Sequence, residues 1–319
     1  MSDATPMTIR SLAPWFGGKR TLAPRIVAEL GRHTQYFEPF CGAMSIILAK
    51  GESQKETVND LHGDLTNLAW VLQVPQWAEM LYDRLCRVVM SEGLLEQAQA
   101  ELESSPVDHA SSGEPMLERA YWYFLASWMG RNGTAGTERQ DYQMAVRWTK
   151  NGGSPTVRFQ NAVESLPAWH RRLRNVVITR RDAFEIIDRF EDVAETAIYA
   201  DPPYPAETRS NIAGDDAVPT KGGGGGRYLH EFRHGSGLFS GNSDDHARLA
   251  SALRAYRHAR VVVSTYDCPR YRELYEGWTF VPCPMAKLLH AQNGRGNRRK
   301  EAPEVLIVNG PSLSAGGEW

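Results

Sequence analysis

The residues best suited to chemistry are Asp201, Pro202, Pro203 and Tyr204, in the segment 200–204 that directly follows the apolar run 197–199. A carboxylate and a backbone carbonyl in a proline-stiffened turn can accept hydrogen bonds from both N–H groups of an aromatic amine. Because these bonds draw the lone pair out of conjugation with the ring, the nitrogen becomes a better nucleophile. A neighbouring tyrosine can stack on the ring. The segment therefore predicts a pocket for a planar ring that carries an exocyclic amino group.

Two segments upstream have the character of a cofactor site. The first contains Glu38, Pro39, Phe40 and Gly42, at the carboxyl end of a predicted strand. A glycine at the carboxyl end of a strand lets the backbone approach a ligand. The second contains Asp60, at the end of the next predicted strand and about 20 residues further on, the offset of an acid that binds ribose hydroxyls. A single Asp at such a position can equally cap a helix or a turn.

A third segment, before the first strand, contains Trp15, Gly17 and Lys19. Its glycines bring the backbone close to a ligand, its lysine could meet a carboxylate, and its indole could pack on a ring. The spacing of a phosphate-binding P-loop is absent, so a nucleoside triphosphate site of that type is not predicted.

Short apolar runs alternate with helical patterns, which predicts a largely parallel α/β sheet with helices on both faces. The predicted strands are 36–40, 56–60, 176–179, 196–200, 260–265, 278–282 and 304–308. The predicted helices between them are 43–49, 64–73, 183–190 and 245–256.

The alternation breaks between about residues 75 and 161, which predicts a helix-rich insert at 75–160 within an α/β domain of residues 1–74 and 161–319. The aromatic helix at 121–129 is expected to form part of the core of the insert. Residues 131–174 hold eight basic residues against three acidic ones, so they could carry a phosphate-binding surface or an ordinary solvated one. The glycine row Gly222–Gly226 predicts either a mobile flap or a plain linker.

Composition excludes several classes of protein. The chain has 319 residues, a net charge of −2 and no apolar run long enough to span a membrane. Its four cysteines form no Cys-x-x-Cys pair, which argues against structural zinc and against a disulfide framework. No zinc-deaminase motif and no Gly-x-Gly-x-x-Gly dinucleotide motif occurs.

Together these segments resemble the Dam-type DNA adenine N6-methyltransferases, from residue 15 to about residue 309. The resemblance implies a Rossmann-like S-adenosylmethionine-dependent methyltransferase sheet with residues 75–160 as the target-recognition insert. It implies methyl transfer to N6 of an adenine in double-stranded DNA, with the base rotated out of the helix. The product of the cofactor is then S-adenosylhomocysteine, and no metal is needed.

The resemblance assigns roles to individual residues. Those implied in catalysis are Asp201, Pro202, Pro203 and Tyr204. Those implied in cofactor binding are Trp15, Gly17, Lys19, Glu38, Pro39, Phe40, Gly42, Asp60, Asp182, Ala183 and Asp201. Arg131 and Asn132 are implied in DNA binding. The chain departs from the family pattern at Met44, where the family usually has a second glycine.

Two alternatives stay open. One is a methyltransferase acting on cytosine N4 or a protein amide, although those families usually carry Asn or Ser before Pro-Pro-Tyr. The other is a non-catalytic DNA-binding subunit that kept the fold. We expect a cytoplasmic protein, encoded by a bacterium or a phage, that is a monomer or a weak dimer. Whether it has a cognate restriction endonuclease as a partner stays open. The recognised DNA sequence is not predicted.

Overall fold

The structure is a computed structural model that describes residues 7–15, 17–104, 115–130, 144–146, 153–205, 244–283 and 304–314. Its strands are β1 (Gln35–Glu38), β2 (Lys55–Asn59), β3 (Val177–Thr179), β4 (Thr196–Ala200), β5 (Arg260–Tyr266), β6 (Thr279–Cys283) and β7 (Glu304–Val308). All seven predicted strands are therefore confirmed, and the bounds of β4 and β7 agree with the prediction.

The strands form one sheet in the order β3-β2-β1-β4-β5-β7-β6. Neighbours among the first five are parallel, and β7 is antiparallel to both β5 and β6. The chain moves outward from β1 to β2 and β3, then returns to place β4 on the other side of β1. Open α/β sheets bind ligands at such a reversal, beyond the carboxyl ends of the strands.

The helices are α1 (Ala23–Leu30), α2 (Gly63–Gln73), α3 (Pro75–Cys86), α4 (Glu92–Ser104), α5 (Leu117–Met129), α6 (Pro155–Leu173), α7 (Asp245–Arg254) and α8 (Pro269–Leu274). They cover both faces of the sheet, as predicted. Because side chains alternate along a strand, Tyr199 joins a core cluster with α1 to α6, whereas Ile198 joins the cluster with α7 and α8.

Helices α3, α4 and α5 lie in the predicted insert, and their buried side chains belong to the same core cluster as α2 and the sheet. In α5, Phe124 and Trp128 are fully buried, which confirms that its aromatic residues form core. The cluster continues into α6, whose Trp169 packs near both rings.

The predicted helix at 43–49 is wrong, because the segment forms a series of turns. Two backbone positions explain the difference: Gly42 and Met44 have φ angles of 44° and 61°, in the left-handed region. A right-handed helix cannot pass through such residues. The segment 183–190 likewise forms two short 3₁₀ turns, Ala183–Glu185 and Ile187–Arg189, rather than one helix.

The N-terminal segment contacts α5, α6 and the turns that follow β1. The indole N–H groups of Trp128 and Trp169 donate to the carbonyls of Leu12 and Ile9, at 3.0 Å and 2.6 Å. The Leu12 amide donates to the Ala43 carbonyl at 3.0 Å. These bonds fix the approach of the chain to Trp15. Among the described helices, none is long and apolar enough to cross a membrane.

Candidate active site

Asp201 follows β4 at the carboxyl edge of the sheet, and both of its carboxylate oxygens are engaged. Oδ1 accepts a hydrogen bond of 2.7 Å from the hydroxyl of Ser264, on the adjacent strand β5. Oδ2 lies 2.9 Å from the ammonium of Lys19, in the N-terminal segment. The carboxylate is therefore oriented from two sides, and each oxygen retains a lone pair for a further donor.

Tyr204 closes one side of this site. Its hydroxyl donates to the carboxylate of Glu304, at the start of β7, at 2.7 Å. The Lys19 ammonium lies 3.4 Å from the same carboxylate and 4.8 Å from the centre of the Tyr204 ring. Lys19 thus contacts Asp201 and Tyr204 of the predicted catalytic pocket as well as Glu304, although it was predicted only as a cofactor-binding residue. Its other bond, at 2.6 Å, runs to the Gly17 carbonyl.

Burial and charge act in opposite directions on Asp201. Burial raises the pKa of Asp201 above the ordinary value, while the charge of Lys19 and the hydrogen bond from Ser264 offset part of the rise. The negative charge of Glu304 adds to the rise. The site therefore holds a carboxylate that is more basic than an ordinary aspartate.

The Gly42 turn forms the neighbouring part of the edge. The Gly42 amide donates to Asp60 at 2.8 Å, and the other Asp60 oxygen accepts from the His62 amide at 2.9 Å. A Cβ atom on Gly42 would lie 2.8 Å from the indole nitrogen of Trp15. Only glycine therefore allows the turn and the indole to meet.

Two further carboxyl groups, those of Glu38 and Asp60, lie at this edge. Glu38, at the end of β1, is buried and accepts a hydrogen bond of 2.8 Å from Tyr36. Burial raises the pKa of Glu38 well above its usual range, and the charges of Asp201 and Asp60 reinforce the shift. Burial also raises the pKa of Asp60. A cationic ligand at this edge would offset their burial and mutual repulsion and so favour the ionised forms of these carboxyl groups.

Asn59 ties the segment of Asp182 and Ala183, which the resemblance assigns to cofactor binding, to the same edge. Its amide nitrogen donates to the carbonyls of Pro39 and Arg181, at 3.0 Å and 2.9 Å. Asp182 is exposed and accepts from the Phe184 amide at 2.8 Å, so it caps the turn that begins at Ala183. The structure therefore brings the loops after β1, β2 and β3 together.

The described residues hold most of the predicted site, with two gaps. Arg131 and Asn132 lie outside the described residues, as does the row Gly222–Gly226. Two basic residues of the 131–174 stretch have other partners. Arg172 is buried and forms an ion pair with Glu56, and Arg158 donates to the Trp128 carbonyl.

Ser264 and Glu304 are site residues that were not predicted from the sequence. The hydroxyl of Ser264 follows a run of valines, and Glu304 opens an apolar strand, so neither forms a motif with Asp201 along the chain. Both face the site only because β5 and β7 follow β4 in the sheet. The polar residue at one end of each apolar run, Ser264 after the valines and Glu304 before Val305, was the available signal.

Met44 is fully buried in the core cluster despite its left-handed backbone. Its side chain therefore packs beneath the Gly42 turn and does not project from the edge. The φ angle of 61° also gives a physical reason for the glycine that the family usually has there.

Comparison with known proteins adds one finding to this geometry. The family model described as D12 class N6 adenine-specific DNA methyltransferase matches residues 15–216. The match includes Trp15, the Gly42 turn and residues 201–204, and it ends before Ser264 and Glu304. A search of curated proteins found no match to the chain.

Proposed function

Because the chain belongs to the D12 class N6 adenine-specific DNA methyltransferases, an enzyme family that methylates adenine in DNA, we propose that Asp201, Pro202, Pro203 and Tyr204 form its catalytic pocket. The observation that carries this proposal is the Asp201 carboxylate. It stands at the reversal point of the sheet with each oxygen held by one partner, Ser264 or Lys19, and with lone pairs left for substrate.

The target amine is paired and stacked inside duplex DNA, so the adenine must rotate out before it reaches this edge. Asp201 then accepts one N–H of the N6 amine, and the Pro202 carbonyl accepts the other. These bonds localise the lone pair on N6 and fix its direction. Tyr204 supplies an aromatic wall for the base. The raised pKa of Asp201 suits it to take up the proton that the amine loses on methylation.

Members of this family use S-adenosylmethionine, and the residues of the neighbouring edge fit it. The Gly42 turn, which a Cβ atom would obstruct, gives the backbone close access, and the carboxylates of Glu38 and Asp60 suit a cationic ligand. When bound, the cofactor supplies an electrophilic methyl group.

The residues proposed to hold the cofactor are Trp15, Gly17, Lys19, Glu38, Pro39, Phe40, Gly42, Asp60, Asp182, Ala183 and Asp201. We also propose that Lys19 acts at the boundary with the catalytic pocket, because its ammonium contacts Asp201 and Glu304.

DNA is the substrate, and we propose that residues 75–160 provide its recognition surface, with Arg131 and Asn132 as contacts. A bacterial or phage origin with a cytoplasmic location, a cognate restriction endonuclease and a monomeric or weakly dimeric state remain predictions from the sequence.

The test combines binding and product analysis. Unmethylated double-stranded DNA is incubated with methyl-labelled S-adenosylmethionine, then digested to nucleosides and separated. We expect label in N6-methyldeoxyadenosine with the wild type and none with Asp201→Ala. Calorimetry should still detect S-adenosylhomocysteine binding in that variant, weakened only by the loss of the Asp201 contact, because the other residues proposed to hold the cofactor remain.

Asp188→Ala removes an exposed carboxylate from the same domain and serves as the matched control. It should methylate at the wild-type rate. Near-normal methylation by Asp201→Ala would refute the assignment of the pocket.

A further inference from the structure

Behind Asp201 lies a chain of two buried hydroxyl groups. The Tyr199 hydroxyl is 2.8 Å from the Ser264 hydroxyl, which is 2.7 Å from Oδ1 of Asp201. Tyr199 and Ser264 are 1% and 0% exposed, so neither hydroxyl exchanges these bonds for bonds to bulk water. A buried hydroxyl keeps a partner because leaving it without one costs about 1–3 kcal/mol.

The order of the strands builds this arrangement. Tyr199 and Val262 are paired across β4 and β5, and both belong to the core cluster on the α1–α6 face. Asp201 and Ser264 lie two residues further along their chains, so alternation points them to the same face. The chain of hydroxyls therefore follows from strand register rather than from a flexible loop.

The direction of the two bonds is fixed by chemistry. An ionised carboxylate can only accept, so the single proton of Ser264 must point to Asp201. Tyr199 must then donate its own proton to the oxygen of Ser264. This leaves one orientation for both hydroxyls as long as Asp201 is ionised, and the ammonium of Lys19 on the other oxygen favours that state.

We propose that Ser264, supported by Tyr199, is a positioning residue for methyl transfer: it holds one oxygen of Asp201 so that the carboxylate faces the amine of the extruded adenine. The proposal rests on the catalytic role of Asp201 proposed above. Ser264 touches neither DNA nor cofactor in this account, and it acts through the carboxylate alone. It also lies beyond the residues that match the family model.

The test is a series of variants measured with methyl-labelled S-adenosylmethionine and saturating mixed-sequence duplex DNA across a range of pH. Removal of a hydrogen bond to a charged group predicts that Ser264→Ala lowers kcat about 10- to 100-fold. Its KM for the cofactor and its affinity for S-adenosylhomocysteine in calorimetry should not change. The lost hydrogen bond favoured the ionised form of Asp201. The acid limb of the plot of kcat against pH should therefore also move to higher pH.

Tyr199→Phe keeps the bond between Ser264 and Asp201 and removes only its support. Cooperative strengthening of one bond by the next predicts a loss of about two- to fourfold in kcat. Ser264→Thr retains a hydroxyl and should keep the acid limb where it is in the wild type. These two variants carry the test if Ser264→Ala does not fold.

Thr265→Val is the matched control, because it removes the next hydroxyl on β5, which alternation places on the opposite face of the sheet. Its kcat and acid limb should equal those of the wild type.

The proposal is overturned if Ser264→Ala matches the wild type both in kcat and in the position of the acid limb of its pH profile. If Ser264→Ala fails to fold, the same result with Tyr199→Phe overturns it. It is also overturned if kcat falls without any shift of the limb, as a purely structural defect would produce. Asp201→Ala is measured beside the series. If it is active, the catalytic assignment itself is wrong; if it is inactive while Ser264→Ala is normal, only the hydroxyl chain is refuted.

Discussion

The left-handed backbone at Met44 predicts that glycine at this position gives a more stable protein than alanine, the reverse of the order inside a helix. Met44 has a φ angle of 61° and a fully buried side chain. Truncation of such a side chain to alanine costs about 2–5 kcal/mol in free energy of unfolding, and alanine would keep the left-handed conformation, which costs an L-residue about 1–2 kcal/mol. Glycine loses the same side chain but adopts this conformation without the steric cost.

We therefore expect both variants to be less stable than the wild type, with Met44→Gly more stable than Met44→Ala by about 0.5–1 kcal/mol after allowance for the greater freedom of glycine in the unfolded chain. Leu125 is the matched site, since it is fully buried inside α5. There Leu125→Gly should be less stable than Leu125→Ala by about 1 kcal/mol, the ordinary difference in a helix.

The assay is equilibrium unfolding in guanidinium chloride, followed by both tryptophan fluorescence and circular dichroism so that coincident transitions support a two-state analysis. The comparison between the two sites removes the cost of the lost side chain, because only the difference between alanine and glycine is used. If glycine is worse than alanine by the same margin at both sites, the left-handed conformation of Met44 is not real, and the explanation of the family glycine fails with it.

Three further outcomes are expected. Gly42→Ala places a Cβ atom 2.8 Å from the Trp15 indole at a φ angle of 44°, so calorimetry should find weaker S-adenosylhomocysteine binding. Gly153→Ala is the control, because its Cβ atom would meet nothing within 4 Å, and it should bind the ligand normally. Lys19→Met removes the positive charge that offsets the burial of Asp201, so the acid limb of the rate profile should move to higher pH; an unmoved limb would contradict the ion pair. Hydrogen bonds from Ser312 and Ser314 outweigh burial and hold the pKa of Glu29 below its usual value, so wild-type stability should fall as the pH drops through that pKa. Glu29→Gln should lose about 3–5 kcal/mol at neutral pH by breaking the buried pair with Arg260, and its stability deficit should shrink in acid; a constant deficit would refute this linkage.

The sequence predicted the middle of the sheet well because β4, β5 and β7 contain short apolar runs bounded by polar residues. The segment 196–200 is an example: its alternate residues supply both core clusters, so the strand signal is strong. The segment 43–49 failed because its apolar spacing resembles a helix, whereas its conformation depends on left-handed residues that apolar periodicity does not reveal. A long-range hydrogen bond from the Gly42 amide to the Asp60 carboxylate adds to this effect.

The candidate site likewise contains residues that the sequence predicts and residues that only the structure reveals. Asp201, Gly42 and Asp60 occur in compact motifs and were found from the residues. Ser264 and Glu304 were missed because their relation to Asp201 arises from the order of β4, β5 and β7, which no local pattern encodes. Lys19 was assigned to the cofactor alone, since only the tertiary structure places its ammonium 2.9 Å from Asp201.

The central claim is that the cofactor binds beside Asp201 at the reversal point of the sheet. The most direct measurement is a crystal structure of the protein with S-adenosylhomocysteine. We predict ligand density between the Gly42 turn and Asp201, with the sulfur directed toward the carboxylate. Density at another edge of the sheet, with Asp201 remote from the ligand, would contradict the account.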